Sequence, residues 1–73
     1  MIEIDTLQVG QKVHYQPMHY GVGEFENGII KEIRDGRTDG VWVVYQCAGE
    51  WDKYANYTSA LTMLSDLKLG WRH

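Results

Sequence analysis

The stretch Val41-Trp42-Val43-Val44-Tyr45 constrains this chain more than any other. It is the most strand-like run in the sequence, because β-branched and aromatic side chains fit a pleated surface. Successive residues of a strand point to opposite faces, so a run with no polar position needs cover on both sides. The chain has 73 residues, enough for one domain spanning residues 1–73 and for a core that is marginal without cross-links. A doubly covered strand in so small a sheet belongs inside a barrel or at a subunit contact. Cys47 is the sole cysteine, which excludes an internal disulfide and a cysteine-rich zinc site and points to a reducing compartment, most simply the cytoplasm. Stability is therefore expected from dense aromatic packing, from homo-oligomerisation, or from both.

Further strands are expected on either side. A turn at Gly10 precedes Lys12-Val13-His14-Tyr15, whose alternation places Val13 and Tyr15 on one face and Lys12 and His14 on the other. Gly28-Ile29-Ile30-Lys31-Glu32-Ile33 reads as a second strand with Ile29 and Ile33 sharing a face. The polar run from Arg34 to Gly40 joins it to the valine-rich strand as a hairpin. Residues 16–27 and 46–56 read as loops that carry large side chains. In the tail, Thr62 is expected to cap a short turn through Met63-Leu64-Ser65, with Leu67-Lys68-Leu69 returning as a final strand. A single helix from Ser59 to Lys68 is the alternative. The expected fold is mainly β: a small barrel of four to five strands with a short 3-10 or α turn before the last.

Charge and hydropathy exclude several classes of function. Seven basic residues against ten acidic ones give a net charge of -3. The cations Lys12, Lys31, Arg34, Arg37, Lys53, Lys68 and Arg72 are scattered rather than gathered into the stripe that duplex binding needs, which argues against a nucleic-acid partner. No apolar run approaches the ~18 residues of a membrane helix, and Met1-Ile2-Glu3-Ile4-Asp5 lacks the basic-then-apolar order of a secretion signal.

In this order the features resemble the Src-homology-3-like (SH3-like) barrel, in its Tudor and KOW variants. The resemblance lies in Val9–Tyr15 as opening strand, a long loop, Glu26–Ile33, Val41–Tyr45 as central strand, and Leu64–Leu69 as a one-turn helix leading into the last strand. The segments Asn27–Lys31, Asn56–Thr58 and Asp66–Trp71 are also similar to those of small proteins encoded by phages and prophages. These resemblances imply a barrel with a ligand groove near its loops and carry over no catalytic residue. KOW-type barrels often bind RNA, an expectation that the acidic balance here weakens.

Individual chemical groups favour no reaction. His14 and His19, with Asp52 or Glu24, match no established metal-ligand spacing and read as solvated side chains. Cys47 follows a strand and reads as a small buried hydrophobe rather than a thiolate nucleophile. Ser59 and Ser65 lack a nucleophile-elbow setting, and Gly21-Val22-Gly23 lacks the rest of a phosphate loop. Neither an enzyme nor a cofactor is expected.

Aromatic residues stand out instead. Five tyrosines and three tryptophans accompany a single phenylalanine, and Tyr and Trp combine an apolar body with a polar handle suited to half-exposed contacts. Trp42, Tyr45 and Trp71 are expected as core fillers. Tyr20, Trp51, Tyr54 and Tyr57 lie on loops and are the expected partner contacts, with His19, Asp52 and Asn56 adding directional hydrogen bonds. The expectation is thus a non-catalytic binding module, encoded by a phage or prophage, that recognises a host protein through loop aromatics. The alternatives are an oligomeric sponge for a nucleotide-like signal, using Arg34, Arg37 or Lys53 on phosphate, and a barrel that stacks RNA or single-stranded bases.

Overall fold

The computed structural model describes residues 3–21 and 23–73. Met1, Ile2 and Val22, on which the N-terminal signal and phosphate-loop readings partly rest, lie outside the described residues. The fold is mainly β. Five strands form one open antiparallel sheet: β1 Lys12–Tyr15, β2 Glu26–Glu32, β3 Gly40–Val44, β4 Ala60–Met63 and β5 Leu67–Leu69, in the order β4-β3-β2-β1-β5. Helical structure among the described residues consists of 3-10 segments at Ile4–Thr6, Trp51–Asn56 and Leu64–Asp66.

The valine-rich strand sits in the body of the sheet, between β2 and β4, and is covered on both faces. Val41, Val43 and Val44 are all fully buried. Val41 and Val43 join Leu7, Val13, Ile30, Leu64 and Leu67 in the main core, while Tyr15, Ile33 and Tyr45 pack against its rim. That core is aliphatic. The expected aromatic fillers Trp42, Tyr45 and Trp71 are each only partly buried, because branched aliphatic side chains alone fill the thin space enclosed by so short a set of strands. Cys47, 2% exposed and unbonded, is a small buried side chain.

Gly28 shows how tightly the main core closes. It lies opposite Val13 on β1, and a Cβ on it would stand 2.6 Å from Val43 Cγ1, 2.8 Å from the Val44 carbonyl oxygen and 2.9 Å from Tyr45 Cδ1. Absence of a side chain lets β3 settle against β2 at this point. Farther along β2, Ile30 pairs with Val43 but Glu32 pairs with Trp42, so the register slips across Lys31. This bulge shifts the alternation by one residue. Ile33 therefore packs against the core cluster that contains Ile30, instead of sharing a face with Ile29 as simple alternation predicted.

The reverse face of the sheet is covered by chain, not left to solvent. Lys31 Nζ donates to the Tyr57 carbonyl at 2.7 Å, which ties β2 to the end of the Trp51–Asn56 segment. The C-terminal residues are fixed to the same sheet. Asn27 Nδ2 donates to the Arg72 carbonyl at 2.7 Å while Arg72 N donates to Asn27 Oδ1 at 2.9 Å, so one side-chain amide makes both bonds of a strand pair. Trp71 Nε1 donates to the Gly28 carbonyl at 2.8 Å, and Gly70 N to the Lys12 carbonyl at 2.9 Å.

The tail departs from both of its sequence readings up to Met63. Ala60–Met63 is a strand, and Thr62 is an interior strand residue rather than a cap. Its backbone pairs with Val41 and its buried hydroxyl is shared with Tyr45, so tertiary pairing overrides the local capping preference of threonine. The turn follows one residue later than expected, as the 3-10 segment Leu64–Asp66, and Leu67–Leu69 forms the anticipated last strand.

Candidate functional site

The loop residues expected to share one contact surface divide into two groups. His19 and Tyr20 belong to a run of edge-to-face rings: His19 to Tyr20 at 5.0 Å, Tyr20 to Tyr15 at 5.5 Å, and Tyr15 to Tyr45 at 5.9 Å between centroids. Trp51 belongs elsewhere. Its ring lies 4.9 Å from that of Trp71, and Lys12 Nζ sits 4.6 Å from the Trp71 ring centre. Tyr54 stands close to the Gly10 turn, where its hydroxyl would lie 3.3 Å from an added Cβ. Asp52 and Asn56 are exposed on the same 3-10 segment. No described ring contact or hydrogen bond joins this second group to His19 and Tyr20.

Tyr57 lies near the first group. A cleft of about 330 Å³ is lined by Tyr15, Glu26, Tyr45, Ala60, Leu61, Thr62, Met63 and Asp66. A second, of about 340 Å³, shares Tyr45 and Ala60 with it and continues past Tyr57 and Ser59. Together they form a tyrosine-lined groove running beside β4. Tyr57 is braced there by its hydroxyl, which donates to Glu50 Oε2 at 2.8 Å.

The groove is negative at the end lined by β1 and β2. Glu26 sits opposite Tyr15 in the β1–β2 register, and Asp66 comes from the 3-10 segment before β5. Ion pairs among the described residues are Arg34–Glu32 and Arg37–Asp39, both on the far hairpin, and neither includes Glu26 or Asp66. Two phenols, Tyr20 and Tyr45, register the charge of Glu26. Tyr20 is raised from its ordinary value, first by burial and then by the charge of Glu26, with Tyr15 and Glu24 adding to it. Tyr57 is raised chiefly by its hydrogen bond to Glu50.

Burial pushes Tyr45 up to about 12; its 2.7 Å hydrogen bond with Thr62 opposes this, and the charge of Glu26 adds to it. Below the ordinary tyrosine pKa of about 10 the phenol is neutral in both folded and unfolded chains, and the full stability is present. Between about pH 10 and 12 the unfolded chain ionises first, so stability falls as pH rises, by up to about 2 kcal/mol after allowance for partial exposure. Urea unfolding at about pH 8 and about pH 11 should show this loss in the wild type and a smaller one in Tyr45→Phe. Equal losses in the two proteins would contradict the assignment.

The other nominated chemistries take definite positions. His14, read as a solvated side chain, is 6% exposed, and its Nδ1 donates to the Gly70 carbonyl at 2.8 Å; the last strand and the tail cover it. His19 is exposed. Among the described residues no three His, Cys, Asp or Glu side chains gather closely enough to hold a metal ion. Arg34 and Arg37 place their guanidinium carbons 4.1 and 5.7 Å from the Trp42 ring centre, and each also contacts a carboxylate. Two cations among Glu32, Asp35 and Asp39 leave that hairpin without surplus positive charge for a phosphate. No described helix is long and apolar enough to cross a membrane.

Sequence reasoning missed Tyr15, Glu26, Thr62 and Asp66 as groove residues and took Tyr45 as core. The available signal was the cross-strand partnership of Tyr15 with Glu26, which becomes visible only once the β1–β2 register is known. No family model matches this chain, and neither a curated protein nor a solved structure shows significant similarity to it.

Proposed function

We propose that this chain is a non-catalytic binding module that recognises a host protein through the tyrosine-lined groove beside β4. The observation that carries the reading is a pair of carboxylates, Glu26 and Asp66, set beside partly exposed tyrosines and outside both ion pairs found among the described residues. Tyrosine-rich, half-exposed surfaces with directional polar groups suit protein contacts. A negative field at the groove repels phosphate, which favours a protein over a nucleotide or RNA. His19 and Tyr20 extend this surface, and Tyr57 flanks its far end. Trp51, Asp52, Tyr54 and Asn56 line neither of the two clefts, and Trp51 packs against Trp71 in a supporting role. The strand order and the single 3-10 turn between β4 and β5 support reading the sheet as a barrel of the Src-homology-3-like type.

Affinity capture from bacterial lysate with three forms of the protein tests the proposal. Wild type and Trp51→Ala/Tyr54→Ala are expected to retain the same protein, and Tyr20→Ala/Glu26→Gln to lose it. Loss with the tryptophan variant and retention with the groove variant would move the contact to the opposite face. A co-eluting nucleotide in place of a protein would favour the sponge reading.

A further inference from the structure

The two free edges of the sheet are built differently. β5 has three residues with Lys68 at its centre, the short, charged form by which sheets discourage pairing with other chains. β4, Ala60-Leu61-Thr62-Met63, carries no charge and no proline, and Leu61 is 39% exposed. This unguarded edge also supplies one wall of the groove that holds Glu26 and Asp66. An extended chain beside β4 would meet the free backbone groups of an edge strand, and its alternate side chains would reach the groove.

We infer that the occupant of the groove is an extended segment of the partner protein, added to the sheet as a sixth strand on β4, with a lysine or arginine directed toward Glu26 and Asp66. The inference rests on the binding-module reading and specifies its ligand. Charge complementarity selects a basic segment: the cleft is lined by two carboxylates that take part in neither ion pair found among the described residues. The same charge disfavours a second copy of this chain paired through β4, since a two-fold contact would bring two acidic clefts together.

A positional-scanning library of short, end-blocked peptides, screened on the full chain, tests this. The expected selection is lysine or arginine at one position with β-branched residues at alternate neighbouring positions. The best peptide should lose about tenfold in affinity when its cation becomes glutamine, and about tenfold again when the backbone amides facing β4 are methylated. Glu26→Gln/Asp66→Asn should weaken the lysine peptide while leaving the glutamine peptide unchanged. Hydrogen exchange at Leu61 and Met63 should slow on binding. Selection of acidic or proline-rich peptides, absence of any selection, or tolerance of backbone methylation would overturn the inference. So would a peptide-free dimer with protected β4 amides. If the groove variant still loses the captured protein while the peptides fail in these ways, the strand-addition inference alone falls; if capture is unaffected, the functional reading falls with it.

Discussion

Replacing Gly28 with alanine is expected to cost this protein about 3 kcal/mol, because the new methyl group has no direction in which to relax. Two of the three atoms it would meet are side-chain carbons of Val43 and Tyr45, but the third is the Val44 carbonyl oxygen at 2.8 Å, part of the neighbouring strand itself. Moving β3 away would open the aliphatic core behind it. The Gly28 carbonyl also accepts from Trp71, so a shift of β2 would disturb the C-terminal clamp as well. In a domain of this size such a loss lowers the melting temperature by roughly 12–24 °C. Gly23→Ala serves as the control, since nothing lies within 4 Å of a Cβ there. Melting temperatures for Gly28→Ala and Gly23→Ala within about 3 °C of each other would refute the close approach of β2 and β3.

Truncating Ile30 to alanine should be comparably severe. Ile30 is fully buried, the largest of the side chains wholly removed from water, and it belongs to the same cluster as Val13, Val43 and Leu67. Deleting three of its carbons removes their transfer free energy and leaves a cavity between paired strands that cannot collapse far, for a cost of about 3–4 kcal/mol. Ile33→Ala, at the core rim beyond the bulge, should cost about half as much because the site is open to partial refilling. Urea denaturation of the two variants checks the order. Equal losses would mean that the bulge does not separate a sealed position from a rim position.

The strands were legible where composition and alternation agreed. Val41–Val44 read as a strand covered on both faces and the polar run from Arg34 to Gly40 as a hairpin turn, and the sheet contains both. The face assignment of Ile33 was not legible, since a bulge is a property of two paired strands and leaves no mark in one of them. Thr62 misled for a related reason: a threonine before a short turn has a local capping option, and only the distant partners Val41 and Tyr45 override it. At the candidate site, richness in tyrosine was apparent in the sequence but its partition was not. Tyr20 and Trp51 both lie on sequence-predicted loops, yet the first turns to Tyr15 and the second, which opens a 3-10 segment, to Trp71, contacts between residues that only the fold brings together.

The most direct test of the account is chemical-shift mapping of the isotope-labelled protein as the captured partner is added. The account predicts that amide signals of Tyr15, Tyr20, Glu26 and Ala60–Met63 move together while the indole signals of Trp51 and Trp71 stay in place. Movement of those indoles, with the β4 amides unchanged, would contradict it.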